Sequence, residues 1–159
     1  MNLFTRYGIM ASQGDGKMYL YNAGDECTAL TGGWRVPAVA SNSTGSKNKL
    51  TDRLQVIGSS GSSDVPHFET TNAVDLSAHE TLKAVVNYVK GVGTGANGFI
   101  SIMATANQNN PTVATKVIGL ESTSNTTLSI DISDLSGAYY IDFGTYLQGT
   151  FEVFSMWLE

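Results

Sequence analysis

In Thr127-Leu128-Ser129-Ile130-Asp131-Ile132, polar and apolar residues alternate without a break, and this period of two constrains the chain more than any other feature. Successive side chains on a strand point to opposite faces, so the run makes one buried face and one wet face. The pattern continues downstream. After Gly137, the run Ala138 to Leu147 places Tyr139, Ile141, Phe143 and Leu147 on one face and Tyr140, Asp142 and Tyr146 on the other. Gln148-Gly149 marks a tight turn, and Thr150 to Leu158 reads as a last strand with Phe151, Val153, Ser155 and Trp157 on one side. The three segments are predicted to form a meander that buries Ile130, Ile141, Phe143 and Val153 together.

Upstream, Phe99 to Ala104 and Thr112 to Leu120 read as a hairpin around the polar loop Asn107-Gln108-Asn109-Asn110-Pro111. Thr81 to Lys90 holds Leu82, Val85, Val86 and Val89 at helical spacing, yet its β-branched valines and its neighbours favour a strand. Asp75-Leu76-Ser77 and Asp134-Leu135-Ser136 look like the same corner, with side-chain oxygens satisfying turn amides. Shorter strands are expected at Lys17 to Tyr21, Leu50 to Ile57 and His67 to Thr71, and a flexible loop at Gly58 to Ser63. Many short strands at this spacing indicate a sandwich or barrel, and the fold expected is an all-β, antiparallel two-sheet β-sandwich. Residues 17–159 form that domain. Residues 1–16, with apolar Leu3, Phe4, Tyr7, Ile9 and Met10, read as an N-terminal arm, an attachment segment outside it.

Composition narrows the function. A chain of 159 residues suits one domain with a real core. Charged residues are only 14%, and the nine basic ones are scattered under a net charge of −5, so nothing tracks a phosphate backbone and no nucleic acid is expected. The single cysteine, Cys27, leaves no internal disulfide and points to folding in a reducing cytoplasm. The first residues lack the pattern of a signal peptide, and no apolar stretch approaches the ~20 residues that span a bilayer. No membrane is expected as a partner.

Catalytic motifs are missing. The G-x-S-x-G elbow, the P-loop and the dinucleotide fingerprint do not occur. His67 and His79 have no spacing that joins them to Cys27 at a metal, and read as a strand-edge and a turn residue. Asp131, Asp142 and Glu152 lie on three consecutive strands and are the carboxylates to check for glycosidase chemistry, although one acid per strand is what a wet face carries anyway. The chain is expected not to be an enzyme and to need no cofactor or metal. Ca²⁺ is the one ion with candidate ligands, at Asp15, Asp25, Glu26 and Asp131, without the D-x-[DN]-x-[DN]-G spacing. Ligand binding falls to aromatic residues. Tyr140 and Tyr146 share a face with Asp142, and Tyr88 joins them as a candidate. Such rings stack on sugar faces while a neighbouring carboxylate takes hydroxyl hydrogen bonds. Trp34 and Trp157 read as core or edge packing.

The run Tyr19-Leu20-Tyr21-Asn22-Ala23-Gly24-Asp25-Glu26-Cys27, continuing to Gly32-Gly33-Trp34, resembles the opening of jelly-roll modules in virion proteins of phages and prophages of Gram-positive bacteria. Val74-Asp75-Leu76-Ser77 with Thr81-Leu82-Lys83, and the closing run Leu128 to Glu159, are similar to the same modules. The resemblance implies a jelly-roll sandwich on the virion surface, as a head accessory or tail component. It also implies other virion proteins and further copies of itself as partners, with host cell-surface polysaccharide as a further one. Such a protein is made in the host cytoplasm and located on the particle. The resemblance brings no catalytic residue. The rival reading is a free carbohydrate-binding module with no virion role.

Overall fold

The computed structural model is described for residues 16–59, 65–91, 97–109, 111, 114, 116–120 and 125–159. Two antiparallel sheets pack face to face as a sandwich. Their strands, in chain order, are β1 (Met18–Asn22), β2 (Trp34–Arg35), β3 (Ser46–Lys49), β4 (Leu54–Ile57), β5 (His67–Thr70), β6 (Val74–Asp75), β7 (Thr81–Lys90), β8 (Asn97–Met103), β9 (Lys116–Leu120), β10 (Thr126–Asp131), β11 (Ala138–Tyr146) and β12 (Gly149–Leu158). Among the described residues, one short α-helix, α1 (Thr28–Thr31), and a 3-10 turn at Ala40–Asn42 interrupt them. Sheet I runs β10-β7-β12-β4-β3, with β1 beside β12. Sheet II runs β2-β5-β11-β8-β9, with β6 beside β11. Residues 1–15 of the proposed arm lie outside the described residues, as do positions 60–63 of the predicted loop.

The predicted meander is corrected. β10 pairs with β7, β11 with β5, β6 and β8, and β12 with β7, β4 and β1. Consecutive strands therefore cross between the sheets and meet across the core, not edge to edge. The alternation that made each of them a strand carries no information about its neighbour. Burial of Ile130, Ile141, Phe143 and Val153 in one core holds nonetheless, because inward faces of opposite sheets meet there. Phe143 of sheet II touches Phe151 of sheet I at 6.1 Å between ring centres, and Trp34 and Phe68 at 5.2 and 5.5 Å.

β7 is the strand that the valines predicted, with Leu82, Ala84, Val86 and Tyr88 inward. The β8–β9 hairpin forms as expected. Leu50 belongs to the turn between β3 and β4, where its N–H donates to Arg53 O, so only Leu54–Ile57 of that segment is strand. Leu147 sits in the β11–β12 turn with φ 57°, off the face assigned to it.

Two further expectations change. In β12 the register shifts between Val153 and Ser155, making Phe154 the extra residue of a bulge. The bulge turns Met156 and Leu158 into the core and moves Trp157 to the outer side, where Tyr19 lies 6.1 Å away and Lys17 Nζ sits 4.7 Å from its ring. The two corners use Asp75 and Asp131, not Asp134. Each acid accepts hydrogen bonds from the backbone N–H (3.0 Å) and hydroxyl (2.7 Å) of the Ser two residues on, Ser77 and Ser133. Those bonds favour the ionised carboxylates and hold both below the usual range. Asp134 instead pairs with Lys116 at 2.5 Å.

Candidate functional site

Sheet II buries its outward face as well as its inward one. The reason lies in register: Arg35 stands opposite Glu69, Glu69 opposite Asp142, and Asp142 opposite Ser101. Four polar side chains therefore line up across β2, β5, β11 and β8, a row of about 14 Å at the usual strand spacing. His67 lies two residues before Glu69 on the same face and is a diagonal neighbour of Asp142. Glu69, Asp142, Ser101 and His67 are all fully buried. The loop 104–109 meets the row at Glu69, where the Asn107 N–H donates to Oε2 at 2.8 Å.

Partners are distributed unevenly. Glu69 Oε1 accepts from Arg35 Nε at 3.0 Å and from Nη2, and Oε2 is taken by Asn107. Both oxygens of Asp142, by contrast, lack a hydrogen-bond partner among the described residues, as do Ser101 Oγ and His67 Nε2. Burial, reinforced by the neighbouring Glu69 charge and only partly opposed by Arg35, holds the Asp142 carboxyl well above the usual range. His67 is pushed down to about 4, chiefly by burial and further by Lys47, against the pull of its bond to Val65. A neutral ring 2.6 Å from Val65 O donates through Nδ1, which leaves Nε2 as a bare acceptor. Asn42 fixes the strand beneath it: its Oδ1 accepts from His67 N–H and its Nδ2 donates to His67 O, both at 3.0 Å.

Each unmade bond of this kind costs about 1–3 kcal/mol, so three side chains with bare atoms in one patch require an explanation. With Glu69 balanced by Arg35 and Asp142 protonated, the patch is neutral. Asp142 and Ser101 can each give and take a hydrogen bond, and His67 can take one. That set complements hydroxyl groups better than ions. Ser101, His67 and Asp142 do not hydrogen-bond to one another, the contact on which a nucleophile and its base rely.

The sequence-predicted residues divide. Tyr140 and Tyr146 are half-buried on this outward face, either side of Asp142. Tyr140 is about 7 Å along the strand from the acid, and Tyr146 meets Phe99 edge-on at 6.4 Å. Asp142 joins them but is buried, not on a wet face. Tyr88 is a correction: it is fully buried on the inner side of sheet I, 6.2 Å from Phe151, and cannot present a platform. Period-2 alternation from Leu82 and Val86 places it on the inward face, as found. His67 is likewise corrected, from strand edge to the interior of sheet II.

Asp131 and Glu152 belong to sheet I, so the three carboxylates do not converge with Asp142. Glu152 is engaged by Arg53 and Gln55 at 2.8 Å each. Of the Ca²⁺ candidates, Asp15 lies outside the described residues, Asp25 accepts from Cys27 N–H at 2.9 Å, and Glu26 accepts from Trp34 N–H and Lys49 at 2.8 Å each. Among the described residues no cluster of three His, Cys, Asp or Glu side chains could hold a metal. Sequence reasoning missed Arg35, Glu69, Ser101 and His67 as members of the site. A usable signal was Glu69, a carboxylate in the middle of the strand His67-Phe68-Glu69-Thr70.

No family model and no curated protein matches the chain. Among solved structures, it is similar to a glycosylation-associated protein complex from Streptococcus agalactiae at 12% identity and TM-score 0.45, over 81% of this chain and 24% of that one. It is also similar to the apo CBM1 of BiXyn10A at 11% identity and TM-score 0.44, over 79% of this chain and 87% of that one. The chain thus spans about a quarter of the length of the streptococcal chain.

Proposed function

We propose that this chain is a non-catalytic binding domain that takes a neutral saccharide on the outward face of sheet II. The observation behind the reading is the patch of buried, unpartnered Asp142, Ser101 and His67 atoms flanked by two half-exposed tyrosines. Rings at the flanks can cover sugar C–H surface, and the polar row between them suits hydroxyls. Millimolar to micromolar affinity is expected of one such site. The setting we propose is the surface of a phage particle, in line with the opening and closing motifs, where many copies would supply avidity.

Calorimetric titration with neutral oligosaccharides tests the binding. Tyr140→Ala and Tyr146→Ala are each expected to weaken it about tenfold while melting like the parent. A wild type that binds no saccharide ends the reading. Stoichiometric copies in purified particles test the setting, and a protein absent from particles leaves a free carbohydrate-binding module.

A further inference from the structure

Resting on the saccharide reading, we infer that Asp142, Ser101 and His67 form an inner subsite for two adjacent hydroxyls of an uncharged sugar, closed over by residues 104–109. Three independent features of the row lead there. The first is geometric. Asp142 has Glu69 on one side, Ser101 on the other and His67 on the diagonal, so the three side chains with bare atoms are neighbours on the outward face of sheet II.

Hydrogen-bond capacity is the second. Both Glu69 oxygens are already engaged by Arg35 and Asn107, whereas neither Asp142 oxygen has a partner among the described residues, so an incoming group meets Asp142 first. The protonated carboxyl offers one O–H and one C=O, Ser101 one hydroxyl, and His67 one lone pair. Two neighbouring hydroxyls, each able to give and to take, match that set. A carboxylate on the ligand could accept from Asp142 and Ser101, but it would meet the Glu69 charge and leave His67 Nε2 without a donor. An ammonium would satisfy the acceptors but leave the Asp142 O–H without an acceptor.

Access is the third. Glu69, Asp142, Ser101 and His67 are shut off from solvent while Arg35 at the end of the row is half-exposed, and the described contact of the loop with the row is Asn107 N–H to Glu69 Oε2. Asn107 adopts φ 55°, the left-handed region that Asn tolerates better than most residues, at the point where the loop turns down onto the acid. Lifting this loop would break one hydrogen bond and open the patch. Binding is then a two-part event: the tyrosines engage the outer sugar surface, and one ring edge enters beneath the loop.

The test titrates the full chain with neutral hexasaccharides of gluco, manno, galacto and xylo configuration, alongside hexagalacturonate and a chitosan hexamer. At least one neutral hexamer should bind, and the charged two at least tenfold more weakly. Asp142→Asn keeps a donor and an acceptor and should stay within about threefold of wild type. Asp142→Leu and Ser101→Ala should each lose tenfold or more, with melting followed to confirm folding. If the tyrosine variants lose binding but Asp142→Leu and Ser101→Ala keep it, the face binds sugar and the inner subsite is wrong. Tighter binding of either charged hexamer overturns the subsite's neutrality. If none of the six binds, the saccharide reading itself fails, and the subsite with it.

Discussion

Asp142 and Glu69 stand directly opposite each other on β11 and β5, both fully buried, and hydrogen bonds reach only Glu69. Two carboxylates at this separation cannot both ionise at little cost, and their surroundings decide which one does. Arg35 and the Asn107 N–H hydrogen-bond to Glu69. Burial and the Glu69 charge hold the Asp142 carboxyl well above the usual range. The asymmetry leaves the hydrogen-bonding atoms at the centre of the row unpaired among the described residues.

Stability should report that proton. A group whose folded value lies above its unfolded one stabilises fully below the ordinary Asp value and loses that contribution as pH rises towards the raised value. Asp142→Asn has no such slope. The variant should match wild type near pH 4 and become the more stable of the two as pH climbs to neutrality, read by urea melts across pH. A difference that stays constant with pH would mean Asp142 is ionised in the fold.

His67 acts in the opposite sense. Its folded value of about 4 lies below the ordinary 6.5, so the native state refuses a proton that the unfolded chain takes up. Stability falls as pH drops from 6.5 to about 4, by on the order of 3 kcal/mol for this one residue. Because Asp142 works against it over the same range, the effect is best seen in Asp142→Asn, where adding His67→Gln should flatten the acid limb. An unchanged limb would place the loss elsewhere.

Phe143 is the ring that joins the sheets, in contact with Trp34, Phe68 and Phe151. Phe143→Ala should cost about 3–5 kcal/mol in chemical denaturation. A cost under about 1 kcal/mol would mean that the cavity collapses and the sheets are not keyed by this ring.

Gly98 tests the same junction from the other side. A Cβ there would lie 2.2 Å from the ring of Phe151. Gly98→Ala should destabilise by about 1–3 kcal/mol through overpacking. Combining it with Phe151→Leu should recover part of the loss, a coupling that a double-mutant cycle measures. Strict additivity would show that the two do not meet.

The strands and much of the core were legible because alternation is a local signal: Leu82, Val86, Ile141 and Phe143 announce their burial within a few residues. Pairing was not. Whether β11 lies beside β10 or across from it depends on contacts such as Asp142 with Glu69, 73 residues apart in the chain, which no short window contains. The site suffered most from this. Tyr140, Asp142 and Tyr146 were readable together on one strand, but Arg35, Glu69, Ser101 and His67 come from three others. Tyr88 was misplaced because an aromatic residue on a strand gives the same signal whether it faces the core or solvent.

Trp157 was misplaced for a different reason, and its position yields the last prediction. Regular alternation from Phe151 would point Ser155 and Trp157 inward and Met156 outward. The extra residue Phe154 reverses this, and it is used: its carbonyl accepts the Ala23 N–H at 2.9 Å, and Arg53 lies 5.6 Å from its ring. Met156→Ala should therefore cost about 2–5 kcal/mol as a core truncation, while Ser155→Ala should stay within about 0.5 kcal/mol. Deleting Phe154 leaves Ser155 outward and Met156 and Leu158 inward, so the domain should still fold. The loss should be on the order of 1–3 kcal/mol, from the Ala23 bond left unmade. Regular alternation forecasts the reverse on every count: a mild Met156→Ala, and a deletion that drives Ser155 and Trp157 out of the core and unfolds the chain. Denaturation of the three variants decides between them, because the two registers assign the same residues to opposite faces.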